Sequence, residues 1–429
     1  GSGPQARAAD GPVEPTSPPA PALRLVSAGQ ASEGAGRGGD AMPEAVIVAT
    51  ARTPIGRAFK GSLVEVRPDD MGGYIVAKLL EKVPALDPAE VDDVMIGAAN
   101  GASEQGMNLA RQVGLLAGLP DTVPATTVNR FCASSLQTIR MAFHAIRAGE
   151  GHAYVAGGVE SVSRTGGKGF SREDMNPRFV DESRPDFINH VYMAMGLTAE
   201  NVAERFGVTR REQDEFAKIS QDRAVEAQKN GFFDREITPY PLPDGQTVSA
   251  DDGPRPGTTL ERLAELAPAF KPDGTVTAGN ACPLNDGAAA VLVMSDERAR
   301  QLGVTPLARI VASSVSGLAP EIMGMGPVEA VRKVLARASM SISDMDVVEL
   351  NEAFAAQVIP VCRQLGISVE DQLNPHGGAI ALGHPFGMTG ARIMATLIND
   401  LQTLDRTVGL ETMCVGGGQG MAMVVERLA

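Results

Sequence analysis

Residues 71–101, MGGYIVAKLLEKVPALDPAEVDDVMIGAANG, and residues 326–354, GPVEAVRKVLARASMSISDMDVVELNEAF, read as two copies of one pattern. Each gives an amphipathic helix, a short polar link with an acidic pair, and an apolar strand that ends at an Asn. Counting on from the matched Val94 and Val347, Cys132 lies 38 residues along and His384 lies 37. A nucleophile and a base at matched positions of a duplicated unit would face each other across a pseudo-twofold axis. Such an arrangement suits acyl transfer.

The alternation extends outward from these two stretches. In the first half, residues 45–50, 94–96, 126–129 and 153–155 read as strands, and 70–83, 108–117 and 134–148 as helices. From about 162 to 290 polar helical stretches such as 209–229 mix with Pro- and Gly-rich loops such as 239–257. This reads as an insertion between the halves, of the kind that builds binding sites on a rigid scaffold. The alternation returns with strands at 289–294 and 308–313, a helix at 327–338 and a strand at 346–350. A helix from 387–390 to about 402 and two closing strands, 408–414 and 421–426, complete it. Strands alternating with helices predict an α/β fold whose sheet is covered on both faces.

Composition narrows the function classes. The chain of 429 residues carries a net charge of −14, which argues against nucleic acid as a bulk partner but permits an anionic small ligand held by local Arg or Lys. No apolar run is long enough to span a bilayer. The four Cys, at 132, 282, 362 and 414, show no CxxC spacing, so free thiols in a reducing, cytoplasmic compartment are expected. No G-x-S-x-G elbow, Walker A loop or H-E-x-x-H motif occurs, and no metal site is expected. Residues 1–41 are rich in Gly, Pro, Ala and Ser and hold no aromatic residue. They read as a dispensable, disordered extension, an expression remnant or the product of an upstream start, and not as a signal peptide.

Four groups carry candidate chemistry. Cys132, in VNRFCASSLQTIR, falls between a strand and the first turn of a helix. Unpaired N–H groups and the helix dipole there would lower its pKa and favour the thiolate. The residues alone leave open a small buried hydrophobe. His384, in NPHGGAIALGHPFGMTGAR, sits in a glycine-rich loop that can approach another group closely, or can satisfy a turn carbonyl. His376 in the same loop reads as structural. Cys414 ends an apolar strand at Val415-Gly416-Gly417-Gly418-Gln419-Gly420. A dinucleotide fingerprint fails there because a strand follows, whereas an oxyanion-binding loop, or a plain core position for the Cys, both fit. Asn351-Glu352 ends a strand where open α/β sheets place their sites, or caps a helix. The Met-rich stretches around 193 and 323 read as core.

Taken together, these segments resemble a thiolase over everything from Met42 onward. The resemblance rests on TARTPIGRAFKGSL, NRFCASSLQ, AGGVESVSR, TVTAGNACPLNDGAAA, NEAFAAQ, GGAIALGHPFGMTGAR and CVGGGQG, in that order. It implies the thiolase fold: two βαβαβαββ halves in a layered α-β-α-β-α core, with an inserted loop domain that binds coenzyme A. The corresponding boundaries are 42–161, completed by about 286–300, for the first half, 162–285 for the insertion and 301–429 for the second half. The position matching Cys132 takes the acyl group and that matching His384 activates it. The position matching Cys414 moves the proton at the acetyl-CoA α-carbon. Asn351 matches the residue that shares one oxyanion hole with the His through a water, and the N–H groups of Cys132 and Gly416 match the second hole.

Met195, Arg255, Phe270, Ala278, Leu284 and Phe354 match positions that contact coenzyme A. Cys282 stands where many biosynthetic members have a Ser bonding the pantetheine, and a thiol is a weaker donor. Arg262 replaces another Ser and could meet a phosphate. The chain lacks the His-Met pair of the short-chain biosynthetic type, and NRFCASSLQ is closer to degradative members. The implied activity is acyl transfer between Cys132 and coenzyme A. It would cleave 3-oxoacyl-CoA in fatty-acid β-oxidation or condense two acetyl-CoA, in a homodimer or homotetramer without a permanently bound cofactor. Two other readings compete. A β-ketoacyl synthase needs a Cys-His-His set and no second catalytic Cys. A non-catalytic CoA- or lipid-binding relative would have lost one of the four reactive residues, and this chain keeps all four.

Overall fold

Ala45–Arg52 (β1) carries AVIVATAR and is buried at every position, as a strand covered on both faces must be. Pro68–Glu81 (α1) follows, with Pro in its first turn beside Asp69 and Asp70 and with Lys78 in its last turn, so its ends complement the helix dipole. The first half continues through Asp93–Gly97 (β2), Leu109–Leu116 (α2), Ala125–Val128 (β3), Ser134–Arg147 (α3) and Ala153–Ser161 (β4). In the insertion lie Met195–Arg205 (α4) and Arg210–Lys229 (α5), the latter started by a capping box between Thr209 and Glu212. Asn285–Ser295 (β5) returns to the sheet. The second half runs Ala308–Gly317 (β6), Gly326–Ala338 (α6), Val347–Leu350 (β7), Ala355–Leu365 (α7), Thr389–Thr403 (α8), Val408–Val415 (β8) and Gln419–Arg427 (β9). The computed structural model describes residues 42–184 and 190–429, so the tail expected to be disordered, 1–41, lies outside the described residues.

The strand order is β7-β8-β9-β6-β1-β5-β4-β2-β3. The halves meet where β1 and β6 pair antiparallel through Val46↔Arg309 and Ile47↔Ala308. Outward from that seam each half repeats the same sequence of pairings. Two antiparallel steps, β1/β5/β4 or β6/β9/β8, lead to a parallel step, β4/β2 or β8/β7. Among the described residues the copies differ at the outer edge of the sheet. Where the first half has β3, the second has a single parallel bridge, Val348↔Leu373. Asn374 ends it: its φ of 41° leaves the strand region. Its side chain then substitutes for the ladder, with Oδ1 accepting the Leu350 N–H and Nδ2 donating to the Leu350 carbonyl, both at 2.9 Å.

Among the described residues the apolar interior forms four clusters, three on the sheet and a smaller one where the insertion meets α7 (Ala199, Ala203, Val276, Phe354, Cys414). One outer core joins α1 and α2 (Ile75, Leu79, Val113) to Val46, Val48 and Leu292. The other joins α6 and α7 (Val331, Val334, Val358) to Leu410, Ala422 and Val424. Between the sheets, α3 and α8 (Leu136, Ile139, Ile393, Leu397) pack with Ile47, Val291, Met413 and Met423. On β9 the inward Met421, Met423 and Val425 thus alternate with the outward Ala422 and Val424. The layers run helices, sheet, helices, sheet, helices, and α8 in the middle is buried at every residue from Thr389 to Leu401. The insertion is bolted to β1 by Arg52, which is fully buried and bonds Asp251 at 2.8 and 2.9 Å and Glu236 at 3.0 Å. His376 is part of the packing: its ring stacks on Phe232, centroids 3.6 Å apart, and Nδ1 lies 2.6 Å from Asp400. No helix among the described residues is long and apolar enough to cross a membrane.

Candidate active site

The two middle helices bring the matched positions together because small residues let them touch. Gly390 begins α8 against the start of α3, and a Cβ on it would lie 2.2 Å from the Leu136 nitrogen. One residue on, the Ala391 N–H donates to Ser135 Oγ at 2.9 Å, so the first turn of α3 caps the first turn of α8. The loop carrying His384 also grazes β4. A Cβ on Gly158 would meet the Gly387 carbonyl oxygen at 1.7 Å, which only glycine permits. Glu160 fastens the same crossing by accepting the Gly387 and Ala99 N–H groups at 2.8 and 2.9 Å and Gln105 Nε2 at 2.6 Å.

Cys132 sits in the single turn Phe131–Ala133 that leads into α3. Phe131 takes a left-handed φ of 45°, a costly conformation for a bulky residue. Its neighbours hold it there: Asn129 Oδ1 accepts the Phe131 N–H at 2.8 Å, and Ser134 Oγ donates to the Phe131 carbonyl at 2.7 Å. Cys132 itself is 8% exposed. The thiolate expected from its place at a helix start is corrected by the structure. Burial pushes the thiol up to about 11, and the Gly416 and Cys132 N–H groups only partly offset that rise.

His384 is buried, and its N–H donates to Asn285 Oδ1 at 2.9 Å. Its Nδ1 lies 2.6 Å from Thr389 Oγ1, whose hydroxyl donates to the Pro385 carbonyl at 2.9 Å. The threonine has one hydrogen to give, so its oxygen accepts from Nδ1–H and the lone pair falls on Nε2. Nε2 lies 3.3 Å from Asn351 Nδ2. Burial, with the Arg392 charge, lowers the imidazole to about 3, so it rests neutral. Asn351 Oδ1 is buried with no partner among the described residues, a natural seat for a water. Cys414 is fully buried, and burial followed by the charges of Cys132 and Cys282 raises its thiol well above the usual range. The resting constellation is therefore two thiols and a neutral imidazole.

Cys132 opens onto a cavity of about 720 Å³ shared with Gly416, Gly417, Met195, Tyr192, Phe170 and Phe386. A second cavity, of about 240 Å³, is lined by Arg57, Arg255, Arg262, Ala278 and Pro283. Burial and the Arg57 charge lower Arg255. That second cavity can take an anion, and the guanidinium fork suits phosphate.

Of the residues expected at a site, Cys132, Gly416 and Met195 line the first cavity, and Arg255, Arg262 and Ala278 the second. His384, Asn351 and Cys414 are buried; His384 reaches the first cavity through Phe386, which its ring meets edge-on at 5.0 Å, and Cys414 lies close enough to feel the Cys132 charge. Phe354 is buried and meets Phe270 edge-on at 6.1 Å. The Cys282 N–H donates to the Ala353 carbonyl at 3.0 Å, which stitches the insertion to the start of α7. Leu284 and Phe270 are exposed. Met323 is core as expected, but Met193 lines the first cavity instead of the core. Sequence reasoning missed Thr389, Asn285, Glu160 and Arg57. All four lie in quoted stretches, Arg57 in TARTPIGRAFKGSL, Glu160 in AGGVESVSR, Asn285 in TVTAGNACPLNDGAAA and Thr389 in GGAIALGHPFGMTGAR, but only Thr389, five residues after His384, is a sequence neighbour of the group it serves.

Comparison with known proteins agrees over nearly the whole chain. A family model described as "Thiolase, N-terminal domain" matches residues 45–297, and one described as "Thiolase, C-terminal domain" matches 304–427. The "Beta-ketoadipyl-CoA thiolase" of Acinetobacter baylyi is 47% identical, the match covering 90% of this chain and 100% of that one. The "3-ketoacyl-CoA thiolase" of Bacillus subtilis is 45% identical with the same coverage. The crystal structure of the Bacillus anthracis acetyl-CoA acetyltransferase matches with a TM-score of 0.82 at 40% identity, covering 90% of this chain and 100% of that one.

Proposed function

The chain belongs to the thiolase family, and from that membership we propose that Cys132 is the residue it acylates. It is an acyltransferase that cleaves 3-oxoacyl-CoA, with CoA thioesters as substrates. In the proposed mechanism the Cys132 sulfur attacks the C3 carbonyl while its proton passes to His384 Nε2. The C3 oxyanion forms at the Cys132 and Gly416 N–H groups, which already point at the Cys132 sulfur. The C2–C3 bond then breaks, and the departing acetyl-CoA enolate takes a proton from the Cys414 thiol. The acyl group stays on Cys132 until the thiol of coenzyme A attacks it, releasing a shortened acyl-CoA and returning the protons. The C3 oxygen, as the carbonyl of the acyl-enzyme, stays on the Cys132 and Gly416 N–H groups, while the enolate oxygen of the departing acetyl-CoA lies toward Asn351 and His384.

One observation carries this reading. The His384 Nε2 lone pair faces Asn351 Nδ2 at 3.3 Å, and the His384 ring meets Phe386 edge-on at 5.0 Å, the same Phe386 that lines the cavity with Cys132. Neutral resting groups also suit it, because charge then develops only in the transition state, where a buried site has most to offer.

The insertion, 162–285, supplies the coenzyme A site in this reading. Arg57, Arg255 and Arg262 would meet phosphate and Phe270, Cys282, Leu284 and Phe354 the pantetheine side. Degradation is favoured over condensation by the names of the relatives, which act on β-ketoadipyl-CoA or 3-ketoacyl-CoA. A homodimer or homotetramer is supported by the edge strand β3, unpaired on its outer side, and by Met107 beside it, 99% exposed. Four free thiols support a cytoplasmic setting. The test is thiolysis of acetoacetyl-CoA, followed as absorbance loss of its magnesium complex, with mass spectrometry after brief exposure to substrate. The adduct should fall on the Cys132 peptide, and an adduct on Cys282 or Cys362 would sink the assignment.

A further inference from the structure

The cavity over Cys132 has a chemistry that carbon–carbon cleavage itself does not require. Its walls are the rings of Phe131, Phe170, Tyr192 and Phe386, together with Val191 and Met193. Phe170 and Tyr192 face one another at 5.6 Å with planes 32° apart. Tyr192 is pinned by the Asn176 N–H, which donates to its hydroxyl at 3.1 Å. Two side-chain amides reach the cavity; Asn100 is fully committed, and Asn129 keeps one N–H. Asn100 donates to the Thr165 and Lys168 carbonyls and accepts the Ala102 N–H. Asn129 donates to the Ala99 carbonyl and accepts the Phe131 N–H. No Lys, Arg or His is among the described lining residues.

We propose that Phe170 and Tyr192 are the specificity wall of this thiolase and that the acyl group it transfers is uncharged and apolar, a medium-length aliphatic or ω-aryl chain, not one ending in a carboxylate. The inference rests on Cys132 being the acyl acceptor. In 3-oxoadipyl-CoA the terminal carboxylate lies three bonds beyond the carbon attacked, so it stays inside the cavity. There it would lose part of its hydration and find no cation among the described lining residues in exchange, an unfavourable transfer. An alkyl or phenyl terminus instead gains by leaving water and lying against the rings. The cavity volume falls in the range of sites for drug-sized ligands, far more than an acetyl group fills. Phe170 at 63% exposure places one ring at the mouth, where a longer chain would cover it.

The clean comparison is 3-oxohexanoyl-CoA with 3-oxoadipyl-CoA, which have the same chain length and differ only in a methyl against a carboxylate terminus. The wild type should cleave the first with a kcat/KM at least ~10-fold higher, the low end of what one pocket contact discriminates. A phenyl-terminated substrate of similar length should exceed both. Tyr192→Arg should raise the adipyl-to-hexanoyl ratio by ~10-fold or more, and Tyr192→Ala should shrink the phenyl-to-hexanoyl ratio by about the same factor. Ratios within one preparation cancel any loss of folded enzyme. Equal or better turnover of 3-oxoadipyl-CoA by the wild type would overturn the proposal, as would ratios unmoved by both substitutions. Acetoacetyl-CoA and acylation of Cys132 are the controls: if neither responds, the nucleophile assignment falls, whereas if both respond and the ratios do not, only the wall falls.

Discussion

Thr389 Oγ1 lies 2.6 Å from Nδ1 of His384 while donating its own hydrogen to the Pro385 carbonyl, and this decides which nitrogen of the imidazole can act as a base. An acceptor that has no hydrogen to spare holds the proton on Nδ1 and leaves Nε2 free toward Asn351. Because His384 and Thr389 share one loop and the first turn of α8, the ring is oriented by the helix start itself.

Thr389→Val keeps the shape but removes that acceptor. General bases contribute ~10²–10⁴-fold, and the variant should forfeit part of it, with kcat for thiolysis down by about 10-fold or more. Thr389→Ser should recover most of the loss. Equal loss in both variants would show a packing role rather than one of proton placement, and a normal melting temperature for Thr389→Val would exclude unfolding as the cause.

Burial decides the protonation state of Cys132. With the Cys132 thiol pushed up to about 11 and His384 down to about 3, neither group is charged at neutral pH. A raised thiol pKa means that the thiolate fraction grows as pH rises toward that value. The rate of iodoacetamide modification at the Cys132 peptide should therefore climb steadily between about pH 7 and pH 10. A plateau already reached below about pH 7 would reveal a thiolate–imidazolium pair and contradict the neutral resting site.

Cys132 and Cys414 divide the chemistry in the proposed mechanism. Cys414→Ala should still take an acetyl group on Cys132 from acetyl-CoA, though slowly. It should lose cleavage and condensation by at least ~10²-fold and lose exchange of the acetyl methyl protons with deuterated solvent. Cys132→Ala should lose acylation itself. Near-normal thiolysis by Cys414→Ala would make that residue an ordinary strand position.

Much of this architecture was legible in the sequence, for a specific reason. Strands such as β1 and β5 are buried on both faces and so read as unbroken apolar runs, and α5 announces itself by the Thr209–Glu212 box. The third strand of the second half was illegible because the Asn374 side chain, not a run of backbone, completes the ladder at Leu350. The positions of Cys132, His384, Asn351 and Cys414 followed from the repeat and the motifs, but the electrostatic state of Cys132 did not. A helix start favours the thiolate, and only the fold reveals that desolvation outweighs it. Asn285 and Glu160 reach the His384 loop from 99 and 227 residues away, a relation that no local pattern encodes.

The last expectation concerns a group that catalysis does not use. Glu411 on β8 is fully buried, and neither of its carboxyl oxygens has a partner among the described residues. Burial, with Glu349 opposite it across the β7/β8 pair and only partly offset by Arg392, raises its pKa well above the ordinary value. The sign follows from proton binding. The folded state holds this proton more tightly than the unfolded chain, so the group costs nothing below its unfolded pKa of about 4.3. Above that pH its penalty grows until the folded pKa is passed, and stability falls as pH rises through the window. Glu411→Gln removes the titration and keeps the volume. The variant should match the wild type in melting temperature near about pH 4 and exceed it at about pH 8, the gap opening with pH. A gap of the opposite sign, with the variant less stable at the higher pH, would mean that Glu411 is ionised and satisfied in the folded protein.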